Sequence, residues 1–273
     1  MRELEGRVAV ITGASTGIGR SIAVECARAG MRVVLASPNV ERLTAAVERV
    51  RAAGGQALGV PTDVSDLAAV ERLAEAALAE FGAVHLLVNN AGVYRPGYMW
   101  EISLEEWEWV IGVNLWGTVY GIKVFLPHML AQPEGHVVNV ASCGGLMTSP
   151  THGPYTASKH AVVGLSKALR AELAMKGAAI GVTLVCPGMV ATDITSQLER
   201  TGPGGKPRPV DLAPEVAAMW DTILTVTDAG IPADDVGPMV LDAVRRERFW
   251  LLPNGEQFFP VFDDELRALK AGE

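Results

Sequence analysis

The sequence lacks the features that mark several classes of protein. It has only three cysteines, Cys26, Cys143 and Cys186. An odd, widely spaced set predicts neither a disulfide framework nor a zinc site, so we expect no bound metal. Lys and Arg number 23 against 31 Asp and Glu, a formal charge of -8, and no basic stripe interrupts this balance. Because a phosphate backbone is bound mainly by basic side chains, nucleic acid is not expected as a partner.

Long apolar runs are also missing. No stretch approaches the roughly 20 consecutive apolar residues of a membrane helix, and the residues before the first glycine turn contain no apolar core of a signal peptide. We therefore expect no membrane association and a cytoplasmic location, where thiols stay reduced. The 273 residues, 49% of them hydrophobic, are enough to bury the core of one large domain.

Short apolar runs alternate with longer stretches of helical periodicity. Most of these runs are apolar on both faces, as is typical of parallel strands covered by helices on both sides. They predict strands at Val8–Ile11, Val33–Ala36, Ala57–Val60, Val84–Val88, His136–Val140, Gly181–Val185 and Phe249–Leu252. The helical stretches are Gly17–Ala29, Val40–Ala53, Leu67–Phe81, Leu104–Leu130, Tyr155–Lys176 and one that starts near Pro214. The pattern predicts an α/β fold, a doubly wound parallel sheet of the Rossmann type with about seven strands and helices on both faces.

A glycine-rich turn, Thr12 to Gly19, follows the first predicted strand and opens the first predicted helix. Glycines allow a tight turn and a close approach of the backbone to a ligand. The helix N-terminus then offers free N–H groups and a positive dipole end to a pyrophosphate. A glycine spacing alone also fits an ordinary βα turn. Its place at the first βα connection, the point where a doubly wound sheet binds its ligand, favours a dinucleotide site.

The TGxxxGIG spacing of this turn and the motifs that follow it resemble the short-chain dehydrogenase/reductase family. In chain order the further motifs are Asn89-Asn90-Ala91-Gly92, Asn114, Ser142, Tyr155-x-x-x-Lys159, and Pro187-Gly188 with Thr192 downstream. They cover residues 6–193 densely. The resemblance implies a compact Rossmann-type oxidoreductase that transfers hydride between a nicotinamide dinucleotide and a CH–OH/C=O pair.

One dinucleotide-binding and catalytic domain over residues 1–273 is therefore expected, since there is no internal repeat and no linker before residue 200. The proline- and glycine-rich residues 201–209 cannot hold a helix or strand. They lie in a variable segment, residues 189–214, that is either a substrate lid or a plain surface loop. The acidic tail, residues 253–273, contains Phe258, Phe259 and Phe262, which could dock on a neighbouring subunit.

Tyr155 and Lys159 are four residues apart and share one face of the predicted helix. Reduction of a ketone by hydride requires a proton for the forming alkoxide. A free phenol, with a pKa of about 10, is a weak base near neutrality, and a neighbouring ammonium group lowers that pKa. The resemblance implies Tyr155 as the acid/base and Lys159 as its partner and a ligand of the ribose. It also implies that Ser142 orients the carbonyl and that Asn114 supports a water in a proton relay.

The resemblance further implies a set of cofactor-binding residues. They lie in the glycine turn, after the third and fourth predicted strands, in the catalytic helix and after the sixth strand: Gly13, Ser15, Thr16, Gly17, Ile18, Gly19, Asp63, Val64, Asn90, Ala91, Gly92, Tyr155, Lys159, Pro187, Gly188, Val190 and Thr192.

The end of the second predicted strand departs from the family pattern. Members that prefer NAD usually carry an aspartate there, which bonds the ribose 2′-hydroxyl, and members that prefer NADP often carry an arginine one position later. Here the two positions hold Ser37 and Pro38. No acidic group repels a 2′-phosphate, Ser37 offers a hydroxyl, and Arg42 offers a cation one helical turn on. We therefore expect NADP(H) to be preferred, with NAD(H) as the alternative.

The residues that flank the expected substrate pocket are apolar: Val93, Cys143, Leu146, Met147 and Met189, with Tyr94, Met99 and Trp100 as further candidates. They predict a hydrophobic ketone, aldehyde or alcohol as the small-molecule substrate, although the same residues could simply pack the core. An imine or activated-alkene reductase on the same scaffold is an alternative. A catalytically silent dinucleotide sensor is another, against which the presence of both Tyr155 and Lys159 argues.

The predicted helix Leu104–Leu130 carries Trp107, Trp109 and Trp116 on more than one side. A helix that is apolar beyond one stripe is buried on a second face. The resemblance implies that this helix and the one bearing Tyr155 form a subunit interface, usually within a tetramer. We therefore expect a homotetramer.

Overall fold

The computed structural model describes residues 1–192, 194 and 212–272, apart from the side chain of Glu265. Its strands are β1 (Val8–Thr12), β2 (Arg32–Ser37), β3 (Ala57–Pro61), β4 (Leu86–Asn89), β5 (Gly135–Val140), β6 (Ile180–Val185), β7 (Val190–Ala191), β8 (Ile231–Pro232) and β9 (Trp250–Leu251). Seven of them form one parallel sheet in the order β3-β2-β1-β4-β5-β6-β9, and β7 pairs with β8. The predicted doubly wound sheet is confirmed.

The helices are α1 (Gly17–Arg28), α2 (Val40–Ala52), α3 (Leu67–Phe81), α4 (Leu104–Ile111), α5 (Gly117–Leu130), α6 (Gly153–Lys176), α7 (Pro214–Asp228), α8 (Ala233–Arg245) and α9 (Phe259–Ala271). Their boundaries follow capping chemistry. The side chain of Asp66 accepts a hydrogen bond from Ala68 N at the start of α3, and Gly82 ends that helix in the left-handed conformation at φ 77°. Pro154 and Pro214 occupy the first turns of α6 and α7, where a missing N–H has no cost.

The core lies on both faces of the sheet. Alternate residues of β1 point in opposite directions, so Ala9 and Ile11 pack towards α1, α2 and α8, whereas Val10 packs towards α3, α5 and α6. This two-sided burial is why the strands are apolar throughout. It leaves the carboxyl edge of the sheet, where the strands end in loops, as the place for a site.

A buried polar chain ties two strand ends to a helix behind them. Asn89 Nδ2 donates to Asn139 Oδ1 at 2.9 Å, Asn139 Nδ2 donates to Ser166 Oγ at 3.0 Å, and Ser166 Oγ donates to the carbonyl oxygen of Val162. Gly121 of α5 lies directly against this chain, because a Cβ there would stand 2.1 Å from Asn89 Oδ1. Buried amides with partners are costly to displace, so β4, β5 and α6 keep a fixed relative position.

The segment Leu104–Leu130 differs from the single α-helix that its periodicity predicts. A π-helical stretch, Gly112–Trp116, separates α4 from α5. The reason is tertiary: the side chain of Asn114 bonds the backbone of Val93 and Ser158 Oγ, and Gly117 packs on Val64, whose Cγ2 would be 2.7 Å from a Cβ. Single π turns inside α-helices occur frequently at functional sites.

By length and composition alone, the same segment is long and apolar enough to cross a membrane, with a mean hydropathy of 1.3 over its best window. The expectation that no stretch reaches this threshold is therefore wrong. In the structure 33% of that window is buried, and α5 packs against α3 and β4. A helix that covers a sheet passes the same test, so the finding is weak evidence for a membrane span. The cytoplasmic location stays a prediction.

The two segments singled out near the end of the chain are only partly described. Residues 193 and 195–211, most of the expected variable segment 189–214, lie outside the described residues. The expected tail, residues 253–273, is more regular than its composition indicates, because a 3-10 turn at Glu256–Phe258 leads into α9. That the whole chain is one domain stays a prediction.

Candidate active site

A cavity of about 550 Å³ opens at the carboxyl edge of the sheet. It is lined by residues that follow β1, β2, β3, β4, β5 and β6, together with residues of α6, α7 and the segment after β9. Of the sequence-predicted site residues, those that line it are Gly13, Ser15, Thr16, Gly17, Ile18, Ser37, Arg42, Asp63, Val64, Asn90, Ala91, Gly92, Val93, Ser142, Cys143, Met147, Tyr155, Lys159, Pro187, Gly188, Met189, Val190 and Thr192. Five do not: Gly19, Asn114, Leu146 and the further candidates Met99 and Trp100.

The glycine turn is built for close approach of the backbone. Gly13 and Gly17 have φ values of 62° and 53°, the left-handed region that favours glycine. A Cβ on Gly13 would stand 2.8 Å from Ala91 Cα. Thr12 Oγ1 accepts from both Asn90 N and Ala91 N, which locks the turn to the end of β4. The first turn of α1 has no acidic residue and no side-chain cap, so its N–H groups and positive dipole end suit a pyrophosphate.

Gly19 differs from its predicted role as a cofactor contact. It lies inside α1 and does not line the cavity. A Cβ at this position would stand 2.4 Å from both Gly13 O and Asn90 Nδ2. Glycine is required there so that the glycine turn and the end of β4 can pack together.

At the far end of the cavity, the loop after β2 presents hydroxyl, amide and guanidinium groups. Ser37 Oγ donates to Ser15 Oγ at 2.9 Å, and Asn39 N donates to Ser37 Oγ at 3.4 Å. Asn39 Oδ1 caps α2 by accepting from Arg42 N at 2.9 Å. The Arg42 side chain is half-buried and has no ion-pair partner among the described residues. The carboxylate of Asp63 already has hydrogen-bond partners, since its Oδ1 accepts from Ser65 N and Ser65 Oγ.

Ser142, Tyr155 and Lys159 meet at the opposite end. Ser142 follows β5 and its hydroxyl interacts with that of Tyr155, whose pKa it lowers, while Ser142 Oγ accepts from Gly144 N at 3.0 Å. Lys159 lies one turn along α6 from Tyr155, with its Nζ 5.7 Å from the tyrosine ring centroid, and donates to the carbonyl oxygen of Val140 at 3.0 Å. The side chain of Lys159 is buried, so few other hydrogen-bond partners are available to its ammonium group.

The ionisation of this group differs from the simple expectation that the lysine lowers the tyrosine pKa. Burial raises the pKa of Tyr155 above its ordinary value, and the hydrogen bond with Ser142 opposes that effect only in part. Burial also lowers the pKa of Lys159 to about 8. Desolvation disfavours the charged form of each group. At neutral pH the protein therefore holds a protonated phenol beside an ammonium group.

Asn114 lies behind the catalytic group and does not line the cavity. Its side chain is 1% exposed. Its Oδ1 accepts from Val93 N at 2.8 Å, and its Nδ2 donates to Val93 O and Ser158 Oγ, both at 3.0 Å. Ser158 Oγ in turn donates to the carbonyl oxygen of Tyr155. In this structure Asn114 positions the loop after β4 against α6, and its predicted support of a water stays a prediction.

The substrate end of the cavity is only partly as expected. Leu146 follows the 3-10 turn Cys143–Gly145, packs against the core and is not among the residues that line the cavity, so its place in the substrate pocket stays a prediction. Met99 and Trp100 are 59% and 76% exposed and also lie outside it. Sequence reasoning did not assign several lining residues to the site: Asn39, Trp109, Ser149, His152, Ile194, Ile223, Thr227 and Phe258. Ile223 and Thr227 are one helical turn apart on α7. This spacing, which the sequence alone shows, puts both side chains on one face of the helix.

An aromatic cluster closes this end. Tyr94, which lines the cavity, stacks on Trp220 of α7 with ring centroids 5.0 Å apart. Its ring is also 4.9 Å from that of Tyr155 and 5.2 Å from that of His152. Such ring pairs add stability beyond the area they bury. The cluster therefore packs α7 against the end of the cavity that holds Tyr155.

The fold and the site together define a dinucleotide-binding oxidoreductase. A family model described as short chain dehydrogenase matches residues 7–202. The chain therefore belongs to the short-chain dehydrogenase/reductase family. Its members act on alcohol and carbonyl groups with a nicotinamide dinucleotide, and this chain is an oxidoreductase of that kind.

Three relatives are similar over nearly the whole chain. A short chain dehydrogenase/reductase from Burkholderia phymatum, solved in complex with NAD, is 39% identical with a TM-score of 0.95, covering 100% of this chain and 97% of that chain. A metagenomic short-chain oxidoreductase in complex with NADP is 30% identical with a TM-score of 0.72, covering 92% and 97%. The CLA biosynthesis dehydrogenase/reductase of Lactiplantibacillus plantarum is 32% identical, covering 98% of this chain and 95% of its own.

Proposed function

We propose that the protein interconverts a hydrophobic ketone or aldehyde and its alcohol, with Tyr155 as the general acid/base. The observation that carries the proposal is the convergence of Ser142, Tyr155 and Lys159 at one end of a cavity whose other end is the glycine turn. That arrangement brings a proton donor within reach of a substrate held between the two ends.

The residues of the glycine turn and of the cavity next to it fit a nicotinamide dinucleotide. The free N–H groups at the start of α1 take the pyrophosphate, the loop after β2 takes the adenine ribose, and Lys159 with the residues after β6 takes the nicotinamide end. When bound, the dinucleotide supplies or accepts the hydride.

The chain's own residues handle the proton. In the reducing direction the Tyr155 hydroxyl donates to the carbonyl oxygen, which Ser142 orients through its hydroxyl. The phenol is protonated at neutral pH, because its ordinary pKa is about 10 and burial raises that pKa further, and this is the state that carbonyl reduction needs. The Lys159 ammonium group then stabilises the phenolate that remains.

The walls of the substrate end indicate an apolar molecule. Val93, Met147, Met189, Ile223 and Phe258 all line it. Among the described lining residues, the cations are Arg42, near the loop after β2, and Lys159, which the catalytic group uses. The described residues therefore offer no dedicated cation to a substrate carboxylate or phosphate in this part of the cavity, whereas alkyl or aryl groups would gain from burial.

The test is a screen of apolar ketones, aldehydes and alcohols with the reduced and oxidised forms of both dinucleotides. We expect turnover of at least one ketone–alcohol pair, in both directions, with the reductive rate higher at neutral pH. Imines and activated alkenes belong in the same screen. Turnover confined to those compounds, or no dinucleotide-dependent turnover at all, would contradict the proposed chemistry.

We further propose that NADP(H) is preferred over NAD(H). Ser37 supplies a hydroxyl and no negative charge at the end of β2, and the guanidinium of Arg42 is free of ion pairs among the described residues. The NAD and NADP complexes of the two similar structures are compatible with either choice. The substitution that tests this proposal is argued in the Discussion.

A homotetramer is proposed on the apolar character of the segment from α4 to α5. Trp116 is 48% exposed there and packs against Tyr120 at 5.6 Å between ring centroids, and exposed apolar patches mark association surfaces. Light scattering across a dilution series should report about four times the chain mass of 28.9 kDa. A mass that stays at that of one chain at micromolar concentration would show that the patch is not a subunit interface.

A further inference from the structure

The loop that precedes α6 carries a side chain that the proposed chemistry does not use. His152 lines the cavity, three residues before Tyr155, and its Nδ1 hydrogen-bonds the carbonyl oxygen of Pro150. A carbonyl oxygen can only accept, so Nδ1 carries the proton. In the neutral ring the lone pair is therefore on Nε2, which has no hydrogen-bond partner among the described residues. Burial lowers the pKa of His152, which favours this neutral form.

The backbone around His152 is held from two sides. His152 forms a β-bridge with Gly97, and Gly97 N donates to Thr151 O at 3.0 Å. Thr151 Oγ1 contacts Met219 Sδ of α7 at 3.4 Å. Thr151 has a φ of 67°, where a β-branched residue is strained. Strain of this kind persists only where the surroundings impose it, and it clusters at ligand sites.

The ring of His152 shares a wall of the cavity with the catalytic tyrosine. Both rings pack on Tyr94, at 5.2 Å and 4.9 Å between centroids. His152 and Tyr155 therefore border the same part of the cavity, each against the ring of Tyr94. The nearby walls are largely apolar, so an acceptor nitrogen in this place distinguishes between substrates by whether they bring a donor.

We propose that His152 is a specificity-determining residue, whose Nε2 accepts a hydrogen bond from a hydroxyl group that the substrate carries near its reacting carbonyl. The substrate class is then an apolar hydroxyketone and the corresponding diol. This inference rests on the proposed function, which places the carbonyl at Tyr155. A substrate without the hydroxyl leaves the nitrogen desolvated and unpaired, which costs binding free energy.

The experiment compares 4-hydroxycyclohexanone with cyclohexanone, a rigid pair that differs by one hydroxyl. The wild type should favour the hydroxyketone about five- to tenfold in kcat/KM, the size of one neutral hydrogen bond. His152→Phe should bring that ratio close to one. His152→Gln, which keeps an acceptor oxygen, should retain part of it. His160→Phe is the matched control, because His160 also bonds a carbonyl oxygen through Nδ1 but lies on an exposed face of α6.

Binding measurements separate this inference from the proposed function. Calorimetry with cyclohexane-1,4-diol and cyclohexanol, at saturating reduced dinucleotide, should show the same preference for the hydroxylated compound without any turnover, because the reduced dinucleotide cannot accept a hydride from an alcohol. A wild type that treats both members of each pair alike, including one that takes neither, overturns the role of His152. So does a His152→Phe variant that keeps the preference. Failure of the proposed function shows differently, as absence of carbonyl turnover while the diol preference in binding persists.

Discussion

Tyr155→Phe is expected to lower kcat/KM for carbonyl reduction by about 10²-fold or more, the usual contribution of a general acid. The substitution removes one oxygen and leaves the ring, so the packing on Tyr94 at 4.9 Å is kept. The lost group is the proposed proton donor, a hydroxyl whose pKa burial raises. Stopped-flow or steady-state rates on the best ketone of the screen measure the effect.

Two controls make the result specific to the proton donor. Tyr120→Phe is the same change on α5, outside the cavity, and should retain the wild-type rate. Dinucleotide binding by Tyr155→Phe, followed by fluorescence titration, should stay within a few-fold of wild type, because most of the predicted cofactor-binding residues lie in other elements and Lys159 is unchanged. A variant that kept more than a tenth of the wild-type rate would remove Tyr155 from the role of acid/base.

Ser37→Asp should shift the cofactor preference from NADP(H) towards NAD(H) by about 10²-fold or more. Position 37 is 4% exposed, so a carboxylate there is poorly screened by water. Two charges about 4 Å apart at an effective dielectric of 20 repel by roughly 4 kcal/mol, and a 2′-phosphate is a dianion. The ribose 2′-hydroxyl of NAD(H), by contrast, can donate to the new carboxylate.

The measurement is the ratio of kcat/KM for NADPH and NADH with one ketone. Ser37→Asn is the matched control, since it has nearly the volume of aspartate without the charge and should shift the ratio far less. Pro38→Arg should tighten NADP(H) by adding a cation at the position where the family often has one. A wild type that prefers NADH tenfold or more would show that the missing carboxylate does not decide selectivity.

The sheet and most of the cavity lining could be predicted from the sequence, because both depend on local sequence patterns. Strands buried on two faces are apolar throughout, and the residues that end them, from Gly13 to Thr192, follow at the carboxyl edge by topology alone. The motif residues Tyr155 and Lys159 then share a helix face by spacing. These inferences need no knowledge of which side chains meet in space.

Features that depend on contacts between distant segments were not predictable in the same way. The π turn at Gly112–Trp116 exists because Asn114 bonds a loop and a helix from elsewhere in the chain. Leu146 and Met147 are neighbours of similar character, and only the 3-10 turn before them decides that Met147 faces the cavity. Phe258 reaches the site from a segment without any motif, where Asn254 Nδ2 donates to Met189 O at 2.8 Å.

Transfer of deuterium from a reduced dinucleotide labelled at the transferring position tests the central claim most directly. The best ketone of the screen is reduced with the labelled dinucleotide, and the product alcohol is analysed by mass spectrometry and NMR. We expect one deuterium on the carbinol carbon of every product molecule in ordinary water, and no deuterium on that carbon when unlabelled dinucleotide is used in deuterium oxide. Product without the label, or an unlabelled alcohol formed at the same rate without dinucleotide, would contradict the account.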